Sequence, residues 1–383
     1  MQVERRQHVM ELFQNRFGSE PQLWARAPGR VDLMGSHTDY NLGYVLTLPI
    51  SRDTWMAVRK NGSRTVNLHA ANLNEDDCFS LDAIEKTSIK KWSNYIRGVA
   101  SVLQAEGLQT DGFDAVIHST VPLESGLSSS AALECVTAVV FRELGGWQMA
   151  PRAMATLCQR AENQFVGVNC GILDQFSSCL GEAECALLLD CSDLSTRAVR
   201  IASGISVVIC NTMSPRKLSG SEYTLRRADC EQGAALLGVK SLCEMTVEGL
   251  AARRSILPEQ VARRCEFIVA ESARAESLAR ALQAGDRDSV ARFCAESFAG
   301  ARDLYEITSA SMATMRKAMQ EAPGVIGSRQ AGAGFGGCMV AFVETARTDD
   351  FRAAVVESYL TASGLRPDVY QVEAVTGAAL FVP

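Results

Sequence analysis

Four short stretches of this 383-residue chain gather side chains that can do chemistry. The first, residues 28–43, reads Pro-Gly-Arg-Val-Asp-Leu-Met-Gly-Ser-His-Thr-Asp-Tyr-Asn-Leu-Gly and crowds Arg30, Asp32, His37, Asp39 and Asn41 together. A polyol hydroxyl both donates and accepts hydrogen bonds, and Asp, Asn and His answer that pattern. Arg30 stays protonated at any ordinary pH and suits charge stabilisation near an anion. The chain holds only four histidines, and one of them lies here. A solvated surface turn would have a similar composition.

The second stretch, residues 122–132, reads Pro-Leu-Glu-Ser-Gly-Leu-Ser-Ser-Ser-Ala-Ala and leads into a helical pattern. Small residues let a backbone approach a phosphate, and successive N–H groups can point into one concavity. A helix opening at Ser129 or Ser130 adds its positive end to the same anion. Gly126, Leu127, Ser128, Ser129, Ser130 and Ala131 are therefore candidate phosphate binders, with one serine hydroxyl able to reach a magnesium ion. No Gly-x-x-x-x-Gly-Lys-Ser/Thr run exists, so this is not the usual P-loop. A serine-rich helix cap would look alike.

The third stretch, residues 161–175, carries Glu162 and Asp174, with Gly171 shortly before the aspartate. One carboxylate can hold magnesium while the other meets a nucleophilic hydroxyl, which is most of what phosphoryl transfer asks of a protein. A helix cap for Asp174 and a solvated helix face for Glu162 are the plainer readings. The fourth, residues 331–338, is Ala-Gly-Ala-Gly-Phe-Gly-Gly-Cys before an apolar run. Its order does not fit a dinucleotide fingerprint, which needs a helix after it. A plain hairpin remains open.

The elements that must position these residues can be read coarsely. A helix is expected over 7–17, a strand at Leu23–Ala27, a loop from Pro28 to Gly43, and a returning strand at Tyr44–Ile50. Residues 113–119 alternate as a half-buried strand does, and helices follow at Ser129–Glu143 and 151–165. Ala186–Leu189 and Ser206–Cys210 read as strands. The polar stretch between them, Asp193 to Arg200, marks the expected domain boundary, dividing the chain into 1–197 and 198–383. The second half shows helical patterns at 221–236, 258–283 and 286–321, then strands at Cys338–Val343 and Tyr370–Val375. Strands and helices mix without regular alternation, which predicts an α+β fold.

Composition narrows the function classes. The length favours two domains over one core. A net charge of −6 offers no general attraction to nucleic acid or to an anionic membrane, so an anionic ligand needs a local site. Thirteen cysteines without Cys-x-x-Cys spacing argue against a zinc site and for a reducing compartment. The charged N-terminal stretch does not read as a signal sequence, and no apolar run suffices to span a bilayer. A cytoplasmic location follows as an expectation. No feature fixes an oligomeric state.

Taken together, the glycine-containing stretches resemble the GHMP kinase superfamily, and within it the galactokinases. Residues 29–41 resemble the galactokinase signature Gly-Arg-Val-Asn-Leu-Ile-Gly-Glu-His-Thr-Asp-Tyr-Asn. Gly126–Ala131 resembles the family's ATP-phosphate loop, Gly332–Cys338 its third motif, and Gly167–Gln175 the segment bearing the catalytic aspartate. Ser221-Glu222-Tyr223 with Arg226-Arg227 resembles a stretch whose tyrosine lies at the sugar. The resemblance runs from about residue 24 to 340.

It implies an N-terminal α+β domain and a ferredoxin-like C-terminal domain with the active site between them. The implied reaction transfers the γ-phosphate of ATP, with Mg2+, to the anomeric hydroxyl of galactose or a galactose-like sugar. Arg30 and Asp174 are the implied catalytic pair, with Asp174 as base or orienting acceptor and Arg30 stabilising developing charge. Ser36, His37, Asp39, Gly171 and Tyr223 are the implied sugar-binding residues. The loop from Gly126 to Ala131 would hold the phosphates, and Ser130 and Glu162 the metal.

The chain departs from the pattern in three places. Ser36 stands where galactokinases carry a glutamate that meets the hydroxyl on the sugar's sixth carbon, which removes a strong acceptor and leaves room. Galacturonate or L-arabinose therefore stand as alternative substrates. Asp32 replaces the usual asparagine. Residues 307–313 lack the Cys-Pro-Glu-Leu-Asp run that galactokinases often show. A non-catalytic sugar and ATP sensor is the competing class, but a sensor is expected to lose part of the phosphate loop or the Arg–Asp pair. Here both are present.

Overall fold

The computed structural model describes residues 2–123, 125–214 and 220–383; Glu124 of the serine loop and the Ser221 side chain lie outside what is described. The order of elements is α1 (Gln2–Phe17), β1 (Leu23–Met34), β2 (Tyr44–Lys60), β3 (Thr65–Ala70), β4 (Glu75–Ser80), α2 (Ser93–Ala105), β5 (Phe113–Ser119), α3 (Ser129–Gly145), α4 (Pro151–Arg160) and α5 (Leu173–Leu180). Then come β6 (Cys185–Asp190), β7 (Ser195–Arg200), β8 (Ile205–Asn211), α6 (Gly220–Leu237), α7 (Val247–Arg253), α8 (Glu259–Ala284), α9 (Arg287–Asp303), α10 (Ala310–Glu321), β9 (Val325–Gln330), β10 (Cys338–Glu344), α11 (Thr348–Ser363), β11 (Asp368–Val372) and β12 (Ala379–Leu380).

The first sheet runs β12-β1-β2-β5-β3-β4, with β6 on β2 and β7 on β6. Side chains on β2 and β5 alternate between its faces. Met56, Val58, Ala115 and Ile117 face a core shared with α2, α3, α4 and α5. Ala57 and Val116 face the other way, where Val9 and Phe13 of α1 cover them. The second sheet, β11-β8-β10-β9, is antiparallel. Its βαββαβ order gives the ferredoxin-like arrangement expected for the second half. Val208, Met339 and Ala341 pack under α10 and α11. Val207, Ile209, Val340 and Phe342 share a core with α8 and with Val31, Leu33, Leu46 and Leu188 of the first sheet. One apolar layer therefore joins the two sheets.

Several expectations need correction. β1 does not stop at Ala27 but continues to Met34 as an antiparallel partner of β2. The register shifts between Pro28 and Arg30, which absorbs the missing proline amide as a bulge. Arg30 and Asp32 thus project from a strand, not a loop. The helix expected over 151–165 ends at Arg160 and widens into one π-helical turn, Ala161–Val166. The pattern over 286–321 is two helices. The polar stretch Asp193–Arg200 contains β7, which spans the expected division at 197, and β3 and β4 were not anticipated. The strand expected at Tyr370–Val375 is β11, which begins at Asp368 and ends at Val372, and β12 follows it.

Candidate active site

A cleft of about 580 Å³ lies between the two sheets, and all four chemistry-bearing stretches reach it. β1 supplies Arg30, Asp32 and, just past its end, Ser36, His37 and Asp39. The loop before α3 supplies Gly126 and Ser128, and the first turn of α3 supplies Ser129 and Ser130. The π turn and the start of α5 supply Glu162, Gly171 and Asp174, and α6 supplies Tyr223. Leu127 and Ala131 do not line it. Both side chains are buried, so only their backbone can serve a ligand.

The phosphate loop is built by backbone contacts. Arg30 N donates to Leu127 O at 3.1 Å, and Arg30 Nη1 donates to Gly126 O at 2.6 Å. A side chain at Gly29 would meet Leu127 O at 2.7 Å, so only glycine lets β1 and this loop approach so closely. Ser128 takes a left-handed backbone (φ 60°) at the start of α3, and no side chain caps that helix. Its first-turn N–H groups are left for an anion. The buried Ser128 hydroxyl has no partner either. The glycine loop 331–337 is indeed a hairpin turn, between β9 and β10, yet it also touches the serine loop. Cys338 N donates to Ser125 O, and Gly332 and Ala333 line the cleft.

Beside this loop, Arg30 holds Asp174 Oδ1 through Nε at 2.8 Å and Nη2 at 2.5 Å. Asp174 sits in the first turn of α5, where the helix's positive end favours its charge. Its side chain is 27% exposed, so a ligand can reach it. Glu162 is buried, hydrogen-bonds with Ser130, and receives Gln175 Nε2 at 2.7 Å. Burial first, and then the Asp174 charge, push its carboxyl up to about 7. A cation near Glu162 would relieve that cost. Among the described residues no cluster of three His, Cys, Asp or Glu ligands exists, so a cation here would complete its shell with phosphate oxygens and water.

Asp39 accepts from Tyr40 N at 2.9 Å and is pushed up to about 6, by burial first and then by Asp174. Gly171 packs against it: a Cβ there would fall 1.7 Å from Asp39 Oδ2. His37 has φ 67° and both ring nitrogens held, Nδ1 to Tyr40 Oη at 2.8 Å and Nε2 to Ala333 O at 3.0 Å. A carbonyl can only accept, so Nε2 carries a proton and donates it to Ala333 O, while Nδ1 pairs with the Tyr40 hydroxyl. Its ring lies 5.2 Å from that of Tyr223.

Sequence reading missed part of this wall. Tyr95 on α2 and Cys170 line the cleft. Glu134, fully buried on α3, accepts from Gln175 Nε2 at 2.9 Å, and burial holds its carboxyl well above the usual range. Arg329 and Glu271 stand behind Asp32 and Ser36. Tyr95, Glu134, Arg329 and Glu271 carry no local signal, because each sits inside an ordinary strand or helix pattern; Cys170 lies in the loop before α5.

Comparison with known proteins agrees with this layout. The galactokinase galactose-binding signature matches residues 11–60, the GHMP kinase N-terminal domain residues 94–182, and the GHMP kinase C-terminal model residues 278–361. A galactokinase of Roseiflexus sp. (strain RS-1) is 40% identical over 374 residues, 96% of this chain and 95% of that protein. One from Chloroflexus aggregans is 40% identical over 93% of each. The crystal structure of Lactococcus lactis galactokinase complexed with galactose superposes with a TM-score of 0.94 at 33% identity, covering 98% of this chain and 99% of that one. A mevalonate kinase at 14% identity and TM-score 0.63 shares the fold, covering 92% of this chain and 99% of its own. Fold and cleft together define a kinase of the GHMP class. Within that class the chain belongs to the galactokinase family, and it is a sugar kinase.

Proposed function

We propose that this chain transfers the γ-phosphate of ATP to the anomeric hydroxyl of galactose. The observation that carries the reading is the Arg30–Asp174 pair, held at the edge of the serine loop inside one cleft. The galactokinase relatives and the galactose-bound structure of the L. lactis enzyme support the choice of sugar.

ATP brings the phosphoryl group, and Mg2+ spreads the charge that develops on it. Backbone N–H groups from Gly126 through Leu127 to Ala131, with the hydroxyls of Ser128 and Ser129, bind the phosphates. Ser130 and Glu162 hold the metal. Asp174 takes the hydrogen of the attacking hydroxyl, orienting the oxygen in line, and Arg30 steadies the charge beside it. Asp39 and Tyr223 bind the sugar. Gly171 leaves Asp39 its space, and His37 shapes the wall with its nitrogens turned to the protein. Ser36 acts through Asp32. The division of the chain into two domains belongs to this reading, moved from 197/198 to just after β7, with the two GHMP models falling one on each side.

The thirteen free thiols fit a reducing cytoplasm, and no described helix is long and apolar enough to cross a membrane. The cleft supports small-molecule partners, with no surface assigned to nucleic acid or lipid.

The test is ADP release with Mg-ATP over galactose, galacturonate, L-arabinose and N-acetylgalactosamine. Galactose is expected to lead the panel. Asp174→Asn is expected to keep ATP binding while turnover falls roughly 10²-fold or more. Unchanged turnover in that variant removes Asp174 from the mechanism. ATP binding with no turnover on any sugar would favour the sensor.

A further inference from the structure

One buried carboxylate oxygen in the cleft is used neither by the phosphate end nor by the transfer step. Asp32 lies two residues beyond Arg30 on β1, in regular register with β2 between them. The two side chains therefore leave the same face of the strand, about 7 Å apart. Asp32 is 1% exposed and lines the cleft. Its Oδ2 accepts the Ser36 hydroxyl at 2.6 Å. Its Oδ1 accepts no hydrogen bond.

The neighbouring cation does not fill that vacant acceptor. Arg329 Nη1 stands 3.6 Å from Asp32 Oδ1. Its Nη2 serves Ser36 at 2.8 Å and Glu271 at 2.9 Å, and its Nε serves Ser297 at 2.9 Å. Arg329 is 0% exposed and cannot turn toward a ligand. A buried carboxylate oxygen is costly unless something donates to it. Burial accordingly raises the Asp32 acid, with Arg329, Ser36 and Arg30 opposing. Asp32, Asp39 and Asp174 all line this one cleft. That cleft is where the proposed sugar sits.

We infer that Asp32 Oδ1 accepts a hydroxyl from the side of the sugar ring remote from the reacting oxygen, and that it makes the cleft select neutral aldoses over uronates. This rests on the sugar-kinase reading above and assigns the specificity end of the same site. A sugar hydroxyl supplies the missing donor. A sugar carboxylate supplies none and meets Asp32, with Arg329 already committed behind it. Asn at this position would keep an oxygen toward Ser36 and turn its N–H2 to the cleft, weakening the preference.

The experiment measures kcat/KM for galactose, for the deoxygalactoses lacking the hydroxyl on the third, fourth or sixth carbon, and for galacturonate, in the wild type and in Asp32→Asn. The wild type is expected to use galacturonate at least tenfold less well than galactose, and one deoxy sugar about tenfold less well. In Asp32→Asn that one deoxy penalty is expected to shrink to about threefold or less while the others persist, and the galacturonate ratio to fall about tenfold. Wild-type enzyme that accepts galacturonate as readily as galactose overturns the inference, and needs no variant to do so. So does an Asp32→Asn variant that slows every sugar by one common factor, which marks a structural role. Absence of turnover on all of them sinks the kinase reading and this inference together, whereas turnover with unchanged ratios removes only Asp32.

Discussion

Asp39 makes the clearest case of a residue whose surroundings set its behaviour. Buried, and within reach of the Asp174 charge, its carboxyl rises from 3.8 to about 6. Sugar binding asks for its ionised form as an acceptor, so KM for the sugar is expected to climb as pH falls through about 6 while ATP affinity holds. Steady-state kinetics with each substrate varied between pH 5 and 8 checks this. The stability consequence has the opposite sense. The folded chain keeps a proton that the unfolded chain gives up, so Asp39's contribution is full below about 4 and lost as pH rises through about 6. His118, pushed down to about 4 mainly by burial, works the other way in the same window. The quantity to measure is thus the difference in unfolding free energy between wild type and Asp39→Asn. Wild type is expected to gain stability relative to the variant as pH falls from about 6 to about 4, with no pH trend in that difference counting against the assignment.

The same residues show what a sequence can and cannot reveal. Arg30, His37, Asp39, Ser128 and Asp174 stand out because small or polar side chains cluster where an ordinary core would be apolar. That Arg30 and Asp32 belong to β1 was not legible, since two inward-facing charged residues break the hydrophobic alternation that marks a strand. Arg329 and Glu271 gave no sign at all. Their meaning comes only from partners far off in the chain.

At the scale of elements, the site depends on how the start of α5 meets the turn after β1. Gly171 is the contact point, and the 1.7 Å that a Cβ would leave to Asp39 Oδ2 cannot be relieved without moving the carboxylate. Gly171→Ala is expected to raise the sugar KM by up to about 10²-fold, since small misplacements of a binding group cost on that scale. ATP binding, carried by the loop before α3, should change little, and calorimetric titration with each ligand separates the two. Equal losses for both ligands would mean that α5 as a whole has shifted. The elements themselves were legible where the helix is long, as for α3, α6 and α8. The β3–β4 hairpin was not, because residues 75–78 are almost wholly polar.

At the scale of the whole molecule, the two sheets are tied by charge as well as by apolar packing. Arg329 on β9 reaches Ser36 and Asp32 on the first-sheet side and Glu271 on α8, all buried. Removing one member of such a network leaves the others uncompensated, at a cost of about 3 kcal/mol or more. Arg274, 3.0 Å from Glu271, softens the loss. Arg329→Met is therefore expected to lower the urea midpoint clearly and to weaken sugar binding, while leaving the sheet cores intact by circular dichroism. An unchanged midpoint would show that the network sets position and adds no net stability.

The place of β12 has a consequence for how the protein is made. Leu380 and Ala379 pair with Ala25 and Arg26, and the Phe381 ring packs tilted against Trp55, 4.8 Å between centroids. The partner for this edge of β1 leaves the ribosome some 350 residues after β1 itself. Throughout that interval the nascent first sheet presents an open row of amides and carbonyls beside two tryptophans, the kind of surface that recruits other strands. Chains stalled before β12 emerges should therefore lean on chaperones, or clump, far more than the finished enzyme does.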